Sequence, residues 1–368
     1  VWATFAFIAE NGSGISVVIP TYNEYDNVEL LFKELAKSIP KYVEYEVVIV
    51  DDNSPDGTWR RAIELLTEGT TVVRRINLKG LSTAVIDGIV FSLKEYVAVM
   101  DADLQHPPKY IELFLKKAVE EGADVVIGSR YMKGGGVEGW SKARLLASKA
   151  AGLIAKLFLP SIRRLSDPMS GFFLVKKQLV INNKERLNPQ GFKVLLEILE
   201  RCNPQKVIEV PYIFRSRVFG KSKLGSKVII AYIIHILKLS GWRPFKFIAV
   251  GIAGTFVNLC TLLTFRYVMP LLYSELFILG SAIAIELSIL FNFFLHEVWT
   301  FKDRRFGSLI HRLLLFHISS AISATAQYIS AVSIKYGLSW SPLLAQFIGI
   351  LIGFPVNYIF SELGIWRK

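Results

Sequence analysis

The sequence predicts a doubly wound, mostly parallel α/β domain followed by an α-helical membrane domain of four spans. Three observations predict it. β-Branched runs of strand length alternate with helix-length segments over the first half of the chain, the pattern of a parallel sheet covered on both faces. Polar residues crowd the carboxyl ends of those runs, where open α/β sheets bind ligands. From Phe247 onward come four apolar stretches, each long enough to cross about 30 Å of hydrocarbon.

Val1–Gly14 joins nothing that follows and lacks the basic start of a signal peptide, so 1–14 reads as a remnant. The α/β domain is expected over 15–227. Ile15–Pro20 (ISVVIP) is its first strand, closed by Pro20, and the loop Thr21–Asn27 leads to a helix over Val28–Ser38. Glu46–Val50 is the second strand; it ends in Asp51–Gly57, a loop dense in turn formers, before a helix from Thr58. Thr71–Arg75 is a third strand, Leu81–Leu93 a helix, and Tyr96–Met100 the fourth strand. Pro107-Pro108 opens a helix to about Glu121, since proline suits a first turn, and Val125–Gly128 is a further buried strand. Neither G-x-G-x-x-G nor G-x-x-x-x-G-K-[ST] occurs, so dinucleotide and P-loop folds lack their fingerprints. Gly134–Gly136 reads as a flexible loop.

The composition agrees with a membrane-bound protein. At 52% hydrophobic and a mean hydropathy of +0.40 the chain is too apolar for an ordinary soluble protein. The net charge of +12 is concentrated, because Val210–Ser274 contains no Asp or Glu. Basic residues beside hydrophobic spans meet anionic lipid head groups. No aromatic-and-basic pattern for nucleic acid is present in the first half. Val228–Leu237 (VIIAYIIHIL) is too short to cross a bilayer and lies between Lys227 and Lys238, so 228–246 reads as an interfacial helix. Arg144–Pro160 is a second candidate for the membrane surface. The membrane domain, 247–368, places spans at about 247–265, 276–295, 313–334 and 343–360. Glu286 is a charge inside the second span and is expected to face the bundle interior. Arg266 and Lys335 are the only bases in the two outer loops. Lys302, Arg304, Arg305 and Arg312 lie between spans two and three, so the positive-inside rule puts the α/β domain and both termini in the cytoplasm. A prokaryotic cell membrane is favoured over an endoplasmic-reticulum membrane. Cys202 and Cys260 fall in different domains, which excludes a disulfide framework. No internal repeat is apparent.

The chemistry is expected where the fourth strand ends. YVAVMDADLQ stops abruptly at Asp101 and Asp103, with Gln105 two residues on. Read as an extended segment, 101, 103 and 105 point the same way and present three oxygens to one spot. Two carboxylates with a neutral oxygen suit Mg²⁺ or Mn²⁺, particularly an ion shared with a diphosphate. A lone His106 before Pro-Pro reads as structural.

VIPTYNE (Val18–Glu24), VVIVDDNSPDGT (Val47–Thr58), VMDADLQHPP (Val99–Pro108), GSRY (Gly128–Tyr131) and DPMSGFFL (Asp167–Leu174) resemble, in order, the motif series of the inverting GT-A glycosyltransferases. The nearest subgroup is the dolichyl-phosphate mannose synthases and polyprenyl-phosphate glucosyltransferases. The four spans resemble the GtrA-like membrane domain, through Asn292-Phe293-Phe294 and Val298-Trp299-Thr300-Phe301, with His296-Glu297 where the family has an Arg after an Asn.

The resemblance implies a Rossmann-like GT-A fold that moves mannose from GDP-mannose to dolichyl or polyprenyl phosphate. It implies that Pro20, Tyr22 and Glu24 line the nucleotide site with Asp101 and Ala102, and that Asp52 bonds the base or ribose. It places Asp101, Asp103 and Gln105 on Mg²⁺ or Mn²⁺, with Asp103 and Arg130 as the catalytic pair. A lipid phosphate is already ionised near neutral pH, its second pKa being about 6, so it needs no base. It needs cations, and Arg130, Arg144 and Arg215 are the candidates, followed by Arg217, Lys221 and Lys223. Asp167 then holds a basic side chain or shapes its loop. The rival readings are glucosyl transfer from UDP-glucose to undecaprenyl phosphate, and a membrane half that acts as a lipid-sugar flippase or partner anchor.

Overall fold

The structure, a computed structural model, describes residues 14–66, 68–189, 191–216, 226–268, 277–340 and 342–366. The chain forms two compact units that divide between Leu239 and Ser240. The expected interfacial segment 228–246 is therefore not one element. Its first part is packed into the first unit and its last part begins the second.

In the first unit the strands β1 (Ile15–Thr21), β2 (Tyr45–Asp51), β3 (Thr70–Arg74), β4 (Tyr96–Val99) and β5 (Val125–Ser129) fall where the β-branched runs predict. Two strands that the sequence reading passed over complete the sheet: β7 (Phe173–Lys176) and β8 (Val207–Pro211). A short β6 (Gly136–Val137) pairs separately with β9 (Ile213–Phe214). The sheet order is β3-β2-β1-β4-β7-β5-β8, parallel except for β7, which runs against β4 and β5. β1 is buried along its whole length, as a central parallel strand must be, and this explains its unbroken apolar run.

Helices α1 (Tyr25–Ser38), α2 (Thr58–Glu64), α3 (Leu81–Phe91), α4 (Ile111–Glu121), α5 (Lys142–Phe158), α6 (Lys177–Asn182), α7 (Val194–Arg201) and α8 (Ser226–Leu239) follow. α1 and α4 pack one face of the sheet through Val28, Leu31, Leu35, Phe114 and Leu115. α3, α7 and α8 pack the other through Ile86, Ile89, Leu195, Ile198, Ile236 and Leu239. The strand order fixes the site. The chain winds from β1 outward to β3 and returns on the other side of β1 as β4, so the carboxyl ends of β1 and β4 flank the topological switch point.

The second unit holds α9 (Arg243–Val268), α10 (Phe277–Leu295), α11 (Leu309–Gly337) and α12 (Pro342–Phe360). α10 and α12 each run on into a wider π-helical turn, His296–Thr300 and Ser361–Ile365. Four spans are expected from the sequence. Among the described residues three helical stretches are long and apolar enough to cross a membrane: Arg243–Val268, Ala282–Thr300 and Leu309–Ser330. α12 is helical over Pro342–Phe360, but the described apolar part, Leu351–Ile365, is shorter than a span. Glu286 pairs with His317 Nε2 at 3.0 Å, yet its side chain is 54% exposed, on the outside of the helices rather than between them.

Candidate active site

The acidic motif is a turn, which corrects the extended reading. β4 stops at Val99, and Leu104 takes a left-handed φ of 60°. That conformation costs a residue with a Cβ about 1–2 kcal/mol and is kept where the surroundings impose it. Asp101 and Asp103 therefore differ. The Asp101 side chain is 42% exposed, whereas Asp103 is 2% exposed and accepts the Gln105 N–H on Oδ1 at 3.1 Å. Gln105 is tied to Arg215 twice: its Nε2 donates to the Arg215 carbonyl at 3.1 Å, and the Arg215 N–H donates to the Gln105 carbonyl at 3.0 Å. Of the Gln105 amide, Oε1 is the atom with lone pairs to offer a cation.

His106 braces this turn. Its Nδ1 accepts the Asp101 N–H at 3.1 Å, its ring stacks on Phe172 with centroids 5.2 Å apart, and burial pushes its pKa down to about 3. A ring so weakly basic, with Nδ1 already engaged, is poorly suited to take a proton as a general base. Among the described residues no three of His, Cys, Asp and Glu gather as a ready metal cage.

On the β1–β2 side the expected nucleotide residues have mostly structural partners. Pro20 is buried at the end of β1 and Ala102 in the turn after β4. Tyr22 is exposed, with Lys79 Nζ 5.2 Å above its ring. Glu24 starts α1: its N–H donates to Thr58 Oγ1 and its Oε2 accepts from Asn27. Asp51 is fully buried and accepts from Thr21 and Ser54. Asp52 is used by its own fold: Oδ1 accepts from the buried Arg75 guanidinium and Oδ2 from the Gly80 N–H at 2.7 Å. Arg75 also bonds Asp87 and the Gly80 carbonyl, so Asp52 anchors the 76–80 loop instead of presenting two unengaged oxygens.

On the other side the arginines expected for an acceptor phosphate fall into three groups. Arg130 is buried against Asp167: Nε and Nη2 donate to the two carboxylate oxygens at 2.6 and 2.8 Å, and the Arg130 N–H adds a third bond at 3.0 Å. Burial works against the charged guanidinium, but the Asp167 pair outweighs it and raises the pKa. Among the described residues Nη1 has no hydrogen-bond partner. Arg144 and Arg130 share one indole, lying 4.3 and 5.5 Å from the Trp140 ring. Arg215 is exposed and, among the described residues, is held through its backbone by Gln105. Arg217, Lys221 and Lys223 lie outside the described residues.

The loop 166–171 joins the two sides. Glu209 on β8 accepts from the Ser166 and Asp167 N–H groups and from Ser166 Oγ, at 2.7–2.8 Å. At the far end of the loop, a Cβ on Gly171 would lie 3.2 Å from the His106 ring and 3.7 Å from Asp101 Oδ2. One loop thus holds Arg130 with Asp167 and, four residues on, closes against the acidic turn. Sequence reasoning missed Glu209, Trp140 and Arg75, and also Lys193.

Lys193 precedes α7 and donates to the Met169 carbonyl at 3.0 Å. Burial of its ammonium, seconded by Arg130, pushes its pKa down to about 8 against the pull of Asp101 and Asp167. The shift is downward, so the positive charge is present below pH 8 and lost above it. If that charge meets a phosphate, kcat/KM is expected to fall above about pH 8 with the loss of one proton. Lys193→Arg should move that limb upward, because a guanidinium stays charged. An alkaline limb that is the same in both proteins would rule this out.

Two helices of this unit present apolar faces outward. In α8, Tyr232, His235, Ile236 and Leu239 face inward, with His235 Nε2 2.9 Å from Glu197 and Tyr232 Oη donating to the Ala151 carbonyl. Ile229, Ile230, Ile233 and Ile234 stand exposed on its opposite face. In the adjoining α5, Leu146 and Leu153 are each 70% exposed and alternate with Lys142, Lys149 and Lys156 along one stripe. Such a mixture of bases and aliphatics is the composition of an interfacial helix.

The chain is similar to known proteins over nearly its whole length. Residues 16–182 match the family model for glycosyl transferase family 2, and residues 246–366 match that of the GtrA/DPMS transmembrane domain. A dolichol-phosphate mannosyltransferase of Pyrococcus furiosus is 43% identical over 359 residues, covering 96% of this chain and 99% of that protein. The dolichol-phosphate mannosyltransferase of Saccharomyces cerevisiae is 36% identical over 275 residues, covering 71% of this chain and 98% of its own. Among solved structures, glucosyl-3-phosphoglycerate synthase of Mycobacterium tuberculosis is similar over 63% of this chain and 81% of its own, at 21% identity and a TM-score of 0.48.

Proposed function

Because the chain belongs to the dolichol-phosphate mannosyltransferases, membrane enzymes of glycosyl transferase family 2 that move a mannosyl group to dolichyl phosphate, we propose that its donor is GDP-mannose and that transfer occurs on the cytoplasmic face. The observation that carries the reading is the loop 167–171, which brings a guanidinium and an acidic turn to the two ends of five residues. A nucleoside diphosphate leaving group and a phosphate nucleophile need those two environments side by side.

The hard oxygen donors of Asp101, Asp103 and Gln105 Oε1 are of the kind that would hold Mg²⁺ or Mn²⁺. When bound there, the ion would supply positive charge toward the diphosphate of the leaving group. The chain's own residues do the rest. Tyr22 and Lys79 border the nucleoside at the open end of β1. Arg130, through Nη1, and Arg144 and Lys193 orient the lipid phosphate, and the Trp140 ring packs near both arginines. The phosphate oxygen attacks C1 as the C1–O bond to GDP breaks, the bonding pair leaves with GDP, and the anomeric centre inverts. No proton is removed from the nucleophile, which agrees with a His106 that burial makes a weak base and whose Nδ1 is engaged by the Asp101 N–H. The aliphatic faces of α5 and α8 rest on the membrane, where the acceptor headgroup already is.

Thermal denaturation with Mn²⁺ tests the donor, since a ligand of the folded state raises its melting temperature. GDP and GDP-mannose are expected to raise Tm, and UDP and UDP-glucose to leave it unchanged. Stabilisation by the uridine pair alone would overturn the donor assignment.

A further inference from the structure

We infer that the second unit is two copies of one helical hairpin, 243–301 and 312–366, docked through a surface that recognises its own kind. The sequence reading found no repeat; the contacts reveal one. The first helices align Arg243 and Phe247 with Arg312 and Phe316 without a gap. The second helices align Asn292, Glu297 and Phe301 with Asn357, Glu362 and Trp366, again without a gap. In each copy the glutamate sits in a π-helical turn that ends the second helix.

The aligned residues make reciprocal contacts, the mark of a two-fold interface in which i meets j and j meets i. Arg312 of the second hairpin pairs with Glu297 of the first, and Arg243 of the first pairs with Glu362 of the second. Phe247 meets Tyr358 at 5.3 Å between ring centroids, and their counterparts Phe316 and Phe293 meet at 5.9 Å. Phe301 and Trp366, equivalent to each other, stack at 4.5 Å and 7°. Residues that are their own counterparts across such an axis are the ones expected to touch.

Each hairpin is also closed by the same small-residue contact. Ser288 Oγ donates to the Gly254 carbonyl at 2.8 Å in the first, and Ser323 Oγ donates to the Gly353 carbonyl at 2.6 Å in the second. Gly254 aligns with Ser323 and Ser288 with Gly353, so serine and glycine have changed places across one conserved geometry. The likeness breaks at one seam. Glu286 and His317 form their pair where the other seam has Leu351 and Ile248.

The test uses the full-length protein, purified in detergent and followed by thermal denaturation. Gly254→Ser puts a Cβ 2.1 Å from Asn292 Oδ1 and is expected to lower Tm by roughly 5 °C. Val250→Ser/Gly254→Ser/Ser288→Gly copies Ser319, Ser323 and Gly353 of the second hairpin, where Asn357 Oδ1 accepts from Ser319. That triple variant should regain most of the loss; a Tm at or below that of Gly254→Ser overturns the inference. Cysteine pairs in native membranes, with Cys202 and Cys260 replaced by serine, give a second reading. Phe247→Cys/Tyr358→Cys and Phe293→Cys/Phe316→Cys should both cross-link on mild oxidation, and formation of only one of the two refutes reciprocity.

Discussion

Asp103→Asn is expected to lower kcat for mannosyl transfer about a hundred- to a thousandfold, the range lost when one preorganised charge is removed from a developing anion. The substitution isolates the charge. An asparagine Oδ1 still accepts the Gln105 N–H, so the turn through Leu104 keeps its shape and the buried side chain its volume. Circular dichroism and Tm should therefore stay near those of the parent. Calorimetric binding of GDP should lose its dependence on Mn²⁺. Transfer within tenfold of the parent would mean that the Asp103 carboxylate serves the fold alone. Asp101→Asn should follow the same direction less steeply, because its side chain is partly in solvent and screened.

Arg130→Ala should cost about 3–5 kcal/mol of stability as well as activity, because it leaves the fully buried Asp167 carboxylate without its partner. Stability and chemistry separate in the double variant Arg130→Met/Asp167→Leu. Apolar replacement of a buried ion pair is often neutral, so unfolding free energy should return most of the way. Transfer should not return, since no guanidinium remains for the acceptor phosphate. If the double variant regained activity with its stability, Arg130 would be a structural residue only. Arg130→Lys should fall between the two, keeping a charge but losing the two-pronged grip on Asp167.

How far the chain could be read in advance depended on the range of the interactions. β1 to β5 were legible because each is a short buried run bounded by turn formers. β7 was missed because FFLVK runs against its neighbours and adjoins a helix directly, without a loop of its own. Asp101, Asp103 and Gln105 were singled out from local spacing, but the geometry drawn from it failed: the left-handed Leu104 replaces the extended segment. Arg75, Glu209 and Lys193 carried no local signal. Their partners, Asp52, Ser166, Asp167 and Met169, lie more than twenty residues away and meet them only in the folded sheet. The hairpin repeat was hidden for a related reason, its serine–glycine contact being preserved in space and reversed in sequence.

The isoleucines of α8 and the leucines of α5 carry a practical consequence. A fragment ending at Leu239 would still keep a greasy, lysine-edged sole after losing the three helices that, among the described residues, are long enough to cross a bilayer. It should cosediment with anionic liposomes and clump in plain buffer. Trimming the carboxyl-terminal half is therefore a poor route to a freely soluble catalyst; replacing Ile229, Ile230, Leu146 and Leu153 with polar residues is the step that would free it from the lipid.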